Sequence, residues 1–155
     1  MKTASDMIQA KGDEILWVQE GTTVLDALQR MNQRNVGAIL IRRDHKPVGI
    51  WTERDLLRNI LDPEFDPKRT RIEDVMTKDL IFAPHTDTVY NLMDKFLGLR
   101  VRHLIIEKEG HTIGVVSGGD VMKASIQEKD AELKQLNSMV GWDYYENWCW
   151  RPESP

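Results

Sequence analysis

The sequence predicts an α+β fold built from two pseudo-symmetric β-α-β-β-α repeats followed by an extended C-terminal helix. Three observations carry that prediction. A constant offset of 65 positions lays the second half of the chain on the first without a gap: Thr88 and Val89 fall on Thr23 and Val24, Val101 on Val36, Ile106 on Ile41, Gly114 on Gly49, and Asp120 on Asp55. Within each half, a helical apolar stripe alternates with short β-branched runs. Beyond Asp120 a helical pattern continues to about Val140, where Gly141 offers a stop. A duplication fixes the architecture before any single motif is read.

The elements follow in chain order. The first repeat, together with an N-terminal helix, is expected over residues 1–65; the second is expected over 66–127, and the C-terminal helix and tail over 128–155. A short strand is expected over Glu14–Val18, with its counterpart over Asp79–Ala83. Val24, Ala27, Leu28 and Met31 stand at i, i+3, i+4 and i+7, one face of a helix, and Val89, Leu92, Met93 and Phe96 repeat that stripe. "AILI" (Ala38–Ile41) with "VGIW" and "HLII" (His103–Ile106) with "IGVV" read as hairpins across polar turns. The two-proline segment Leu61–Thr70 reads as the linker between copies.

Composition narrows the function. With 41% hydrophobic and 30% charged residues the chain is an ordinary globular sequence, and its net charge of −4 supplies no basic footprint for nucleic acid. No apolar run is long enough to span a membrane, and the N-terminus lacks an apolar signal core. The single Cys149 forms no intrachain disulfide framework, so a reducing compartment, most simply the cytoplasm, is expected.

The repeated junction is Thr52-x-x-Asp55 and Ser117-x-x-Asp120, each at the C-terminal end of a strand. One reading is helix capping, since a hydroxyl followed three residues later by an acid is a capping box. The other is a ligand site. Helix N–H groups at a strand end can hold phosphate, and a carboxylate accepts two hydrogen bonds side by side, as a ribose diol offers them. Gly118 and Gly119 cost helix stability and so suggest a close approach to the backbone.

At these residues the chain resembles a tandem pair of CBS (cystathionine β-synthase) domains, a Bateman module of the small bacterial type. "VGAILIRRDHKPVGIWTERDLLR", "IEDVMTKDLIFAPHTDTVYNLM" and "RVRHLIIEKEGHTIGVVSGGDVMK" carry the resemblance, which covers roughly Met7–Ser125. It implies two repeats packed through their sheets and a regulatory module that binds adenosine ligands: AMP, ADP or ATP, and in some members S-adenosylmethionine or NAD(H). It gives ribose to Asp55 and Asp120, and ribose or phosphate to Thr52 and Ser117. Adenine would lie along the first strands, near Leu16–Val18 and Ile81–Pro84 (Val18, Ile81, Ala83 and Pro84 among them). The strand starts Val36, Gly37, Ala38 and Val101, Arg102, His103 would line the same clefts. Arg102 and His103 beside Gly118-Gly119 would make a phosphate seat, with Arg54 a weaker arm beside Glu53, so the Asp120 cleft is expected to be the tighter site. Solvated charge for Arg102 and a satisfied histidine for His103 are the plain alternatives.

No nucleophile triad and no Walker-type loop is present, and the four histidines lack metal-ligand spacing, so neither catalytic nor metal residues are expected. No obligatory cofactor is expected, only the adenosine ligand. Ile126, Leu133 and Val140 recur every seven residues with Leu136 between them, which suits docking on the module or pairing with a second copy. The tail "GWDYYENWCWRP" is rich in tryptophan and tyrosine and suits a subunit or partner contact. The resemblance implies a dimer of such pairs, so the expected protein is a homodimeric nucleotide sensor that signals to an effector. A structural module without ligand is the alternative from another class.

Overall fold

The structure is a computed structural model and describes residues 1–12 and 14–146. Its elements run α1 (Ala4–Lys11), β1 (Trp17–Gln19), α2 (Val24–Arg34), β2 (Ala38–Arg43), β3 (Lys46–Thr52), α3 (Glu53–Asn59), α4 (Ile72–Val75), β4 (Phe82–Pro84), α5 (Val89–Leu99), β5 (His103–Lys108), β6 (His111–Ser117) and α6 (Gly118–Glu146). They form two three-stranded sheets, ordered β1-β2-β3 and β4-β5-β6, each with one parallel and one antiparallel pairing.

The expected repeat holds in fine detail. The register slips at Ile41/Arg42 in one hairpin and at Ile106/Glu107 in the other. Both hairpin turns use two consecutive residues at positive φ, Asp44-His45 and Glu109-Gly110, the backbone that matches the twist of the flanking strands. Helices α2 and α5 end on left-handed Asn35 and Arg100, again in register. The expected apolar stripes face inward: Val24, Ala27 and Met31 are buried in one core, Val89 and Leu92 in the other.

The first strands begin later than expected, at Trp17 and Phe82, with a single main-chain bond to each of Leu16 and Ile81 ahead of them. The last helix passes through Gly141 to Glu146, since one interior glycine costs only about 1 kcal/mol and a continuing helix absorbs that. Along α6, Val121 and Ala124 are buried, whereas Ile126, Leu133 and Leu136 are more than half exposed. The seven-residue stripe is thus not the face that docks on the module. The aromatic tail expected to meet a partner falls beyond the described side chains, and residues 147–155 lie outside the described residues.

Sequence order does not decide which sheet the leading segments cover. Helix α1 opens the first repeat, yet Ala4, Met7 and Ile8 are buried in the core of the second. Helix α4 opens the second repeat, yet Ile72 is buried in the core of the first, with Val75 and Met76 packed against it. Gly114 and Gly49 allow this exchange. A Cβ at Gly114 would fall inside the Ile8 side chain, and one at Gly49 inside that of Met76. Main-chain hydrogen bonds between Thr77 and Ile50 clamp the second crossing.

Candidate functional site

Two clefts open where the strands meet the helices, and each takes its walls from both repeats. The larger, of about 740 Å³, joins Leu16 and the strand start Val36, Gly37, Ala38 of the first repeat to Ser117 and Asp120 of the second. The smaller, of about 220 Å³, joins Thr52, Arg54 and Asp55 of the first repeat to Ile81, Val101 and Arg102 of the second. His103 and Ile50 line both.

The crossed assembly follows from local geometry. Ala38 pairs with Thr52, and His103 with Ser117, so each acid-bearing helix starts beside the beginning of its own middle strand. The main-chain bonds from Glu53 N–H to the Gly37 carbonyl and from Gly118 N–H to the Arg102 carbonyl repeat that junction. Each acidic helix start is nevertheless turned across the interface, towards the other repeat's first strand.

This corrects the phosphate seat read from the sequence. Arg102 lies in the cleft of Asp55, not with Asp120, and Gly118 and Gly119 line neither cleft. Spacing within a repeat holds no information about the orientation between repeats. A Cβ at Gly118 or Gly119 would make only ordinary contacts, so packing does not account for either glycine. Of the first-strand residues, Leu16 and Ile81 reach the clefts. Val18 and Ala83 point into the cores, and Pro84 is exposed at the far end of its strand.

Both acids are capping-box acids and remain able to do more. Asp55 Oδ2 accepts from the Thr52 N–H at 2.9 Å and from Thr52 Oγ1 at 3.1 Å, while its Oδ1 stands 4.0 Å from Arg58. Asp120 Oδ2 accepts from the Ser117 N–H and from Lys11 Nζ, each at 2.8 Å. Among the described residues no hydrogen bond uses Asp120 Oδ1. Capping therefore occupies one oxygen of each carboxylate and leaves the second for other partners.

Electrostatics separate the clefts. Burial pushes the Asp120 carboxyl up, but hydrogen bonds from Lys11 and Ser117, with the Lys11 charge, outweigh it and hold the group below the usual carboxylate range. Burial pushes the His103 imidazole down, aided by the charge of Lys11; Asp120 and Asp55 act the other way and Arg102 with Lys11. His103 thus senses charges from both clefts. Lys11 was not foreseen as a site residue, because it lies in α1, outside the repeated motif. Around the smaller cleft stand Arg54, Arg58, Arg100 and Arg102. Among the described residues, Arg54, Arg100 and Arg102 form no ion pair.

No three-ligand metal cluster occurs among the described residues. None of the described helices is long and apolar enough to cross a membrane.

The family model for the CBS domain matches the chain twice, over residues 6–62 and 72–127. A CBS domain-containing protein of Arabidopsis thaliana, CBSX3, described as mitochondrial, is 35% identical over 92% of this chain and 73% of its own length. A further Arabidopsis relative, CBSCBSPB2, is 31% identical over 81% of this chain, which spans only 24% of that protein. Among solved structures, a CBS-domain containing protein from Agrobacterium tumefaciens has a TM-score of 0.74 at 28% identity, covering 80% of this chain and 99% of its own. A CBS domain protein from Pyrobaculum aerophilum, solved in complex with AMP, shares the fold at 20% identity with a TM-score of 0.66, covering 77% and 89% of the two chains.

Proposed function

The chain belongs to the CBS-domain family, and from that premise we propose that it is a regulatory module, not a catalyst, whose two clefts bind adenosine nucleotides of the AMP, ADP or ATP type. One observation carries this reading: each cleft holds a carboxylate that caps its own helix with one oxygen and leaves the second outside that cap. Ribose hydroxyls would meet Asp120 in one cleft and Asp55 in the other, with adenine against Leu16 or Ile81. The AMP complex of the Pyrobaculum relative supports the choice of ligand class. S-adenosylmethionine and NAD(H) share the adenosine and are the alternatives within it.

The larger cleft is the principal site in this reading, on grounds of volume. Its 740 Å³ lies within the range of small-molecule pockets, about 300–1,000 Å³, whereas 220 Å³ falls below it. Arg54, Arg100 and Arg102, which form no ion pair among the described residues, suit phosphate, since a guanidinium binds its oxygens in a fixed fork.

Because each cleft joins both repeats, a bound nucleotide would favour one relative orientation of the two, and only by its differential affinity for the alternatives. A second copy is the proposed receiver of that bias. Leu57 on α3 and Leu61 just beyond its end, with their counterparts Met122 and Ile126 on α6, are all more than half exposed, so both repeats present the same apolar pair to a partner. An effector protein would complete the signal, in the cytoplasm as the proposed compartment.

Thermal unfolding with AMP, ADP, ATP, S-adenosylmethionine and NAD tests the reading. A ligand at 100 times its dissociation constant is expected to add about 2.7 kcal/mol. No shift with any of the five at millimolar concentration would leave a module for assembly alone.

A further inference from the structure

We propose that Lys11 sets the charge preference of the larger cleft: it neutralises Asp120 in the empty site and passes to an anionic 5′ group when a ribose takes the carboxylate. The cleft would then select nucleotides over the bare nucleoside. The inference rests on the adenosine reading above and adds a residue and a selectivity to it.

Lys11 Nζ lies 2.8 Å from Asp120 Oδ2 and 3.4 Å from the Val115 carbonyl, and its side chain lines the cleft. The pair is only partly covered, at 46% and 31% exposure, so the bond can be exchanged at modest cost. The other cations of this cleft are not held by Asp120. Arg34 pairs with Glu14, and burial of His103 favours its neutral imidazole. Among the described residues, Lys11 is therefore the one cation here whose partner is the very carboxylate that a ribose would claim. A nucleoside whose hydroxyls bond Asp120 Oδ1 draws on the same carboxylate charge, and it leaves Lys11 sharing Oδ2 with the Ser117 cap, its own charge only half met. A nucleotide supplies the anion that re-pairs it, in a charge-assisted hydrogen bond.

The smaller cleft is built the other way. Ile8 covers Gly114 and Met76 covers Gly49; three residues beyond these come Lys11 and Asp79, and each lines its own cleft. An amine in one cleft thus answers a carboxylate in the other, where the cations are arginines of the walls. Without Lys11 the larger cleft would lose its phosphate preference, and the smaller would keep its own.

The test is a titration of the full chain with AMP and with adenosine, followed by NMR at the Ser117 and Asp120 amides, which report the larger cleft. Wild type is expected to prefer AMP. Lys11→Met keeps the apolar stem and is expected to weaken AMP roughly tenfold or more, the scale of a hydrogen bond to a charged group, without weakening adenosine. Lys11→Arg is expected to retain most of the preference. Equal loss for both ligands in Lys11→Met, or loss for neither, overturns the role of Lys11 and leaves the adenosine reading standing. Failure of wild type to bind either ligand overturns both. Lys11→Gln, with the same expected pattern, guards against a folding defect peculiar to methionine.

Discussion

The two repeats agree where the backbone is made and differ where the clefts are walled. Bulges, positive-φ turns, left-handed helix ends and capping boxes recur in register. Against that common frame, Gly37 and Ala38 answer Arg102 and His103, and Lys11 answers Asp79. The first set leaves room beside Asp120, while the second fills the space beside Asp55 with guanidinium groups. Duplication has thus kept one carboxylate per cleft and varied the charge around it, giving a roomy cleft with one exchangeable cation and a narrow one rich in arginine.

The largest expected effect that sharpens this comparison lies at the paired glycines. A methyl group at Gly114 meets the branched Ile8, whose rotamers are few, whereas one at Gly49 meets the flexible thioether of Met76. Gly114→Ala is therefore expected to cost about 1–3 kcal/mol in urea unfolding, and Gly49→Ala distinctly less. Equal costs would contradict the packing of α1 on the second sheet.

A smaller effect is expected at His103, which the first repeat replaces with Ala38. Its folded pKa is depressed, so between that value and the unfolded value near 6.5 the unfolded chain binds more protons. Stability should accordingly fall as pH drops below about 6.5, and level off once the folded imidazole is also protonated. Thermal melts from pH 8 to pH 5 measure this. His103→Gln is expected to flatten the slope, and an unchanged slope would place the titrating group elsewhere.

Much of this was legible in the sequence, for a physical reason. Side-chain period and turn chemistry are local, so the repeat, both hairpins and both acid-bearing helix starts follow from spacing alone. Of the first-strand segments expected to meet adenine, Leu16 and Ile81 line the clefts, whereas Val18, Ala83 and Pro84 do not. What could not be read is relational. Arg102 faces Asp55 because of how one repeat is turned against the other, and no offset within the chain encodes that rotation. Lys11 escaped notice because the exchanged segments do not keep the common offset: Ile8 and Met76, which cover equivalent glycines, stand 68 positions apart. The glycines themselves were the available signal, since a glycine in the middle of a strand marks a close approach.

The most direct measurement is a crystal structure of the full chain grown with saturating AMP. The account expects ribose hydroxyls on Asp120 Oδ1 in the larger cleft, with Oδ2 still accepting from the Ser117 N–H. AMP seated away from both carboxylates, or a larger cleft left empty at saturation, would contradict it.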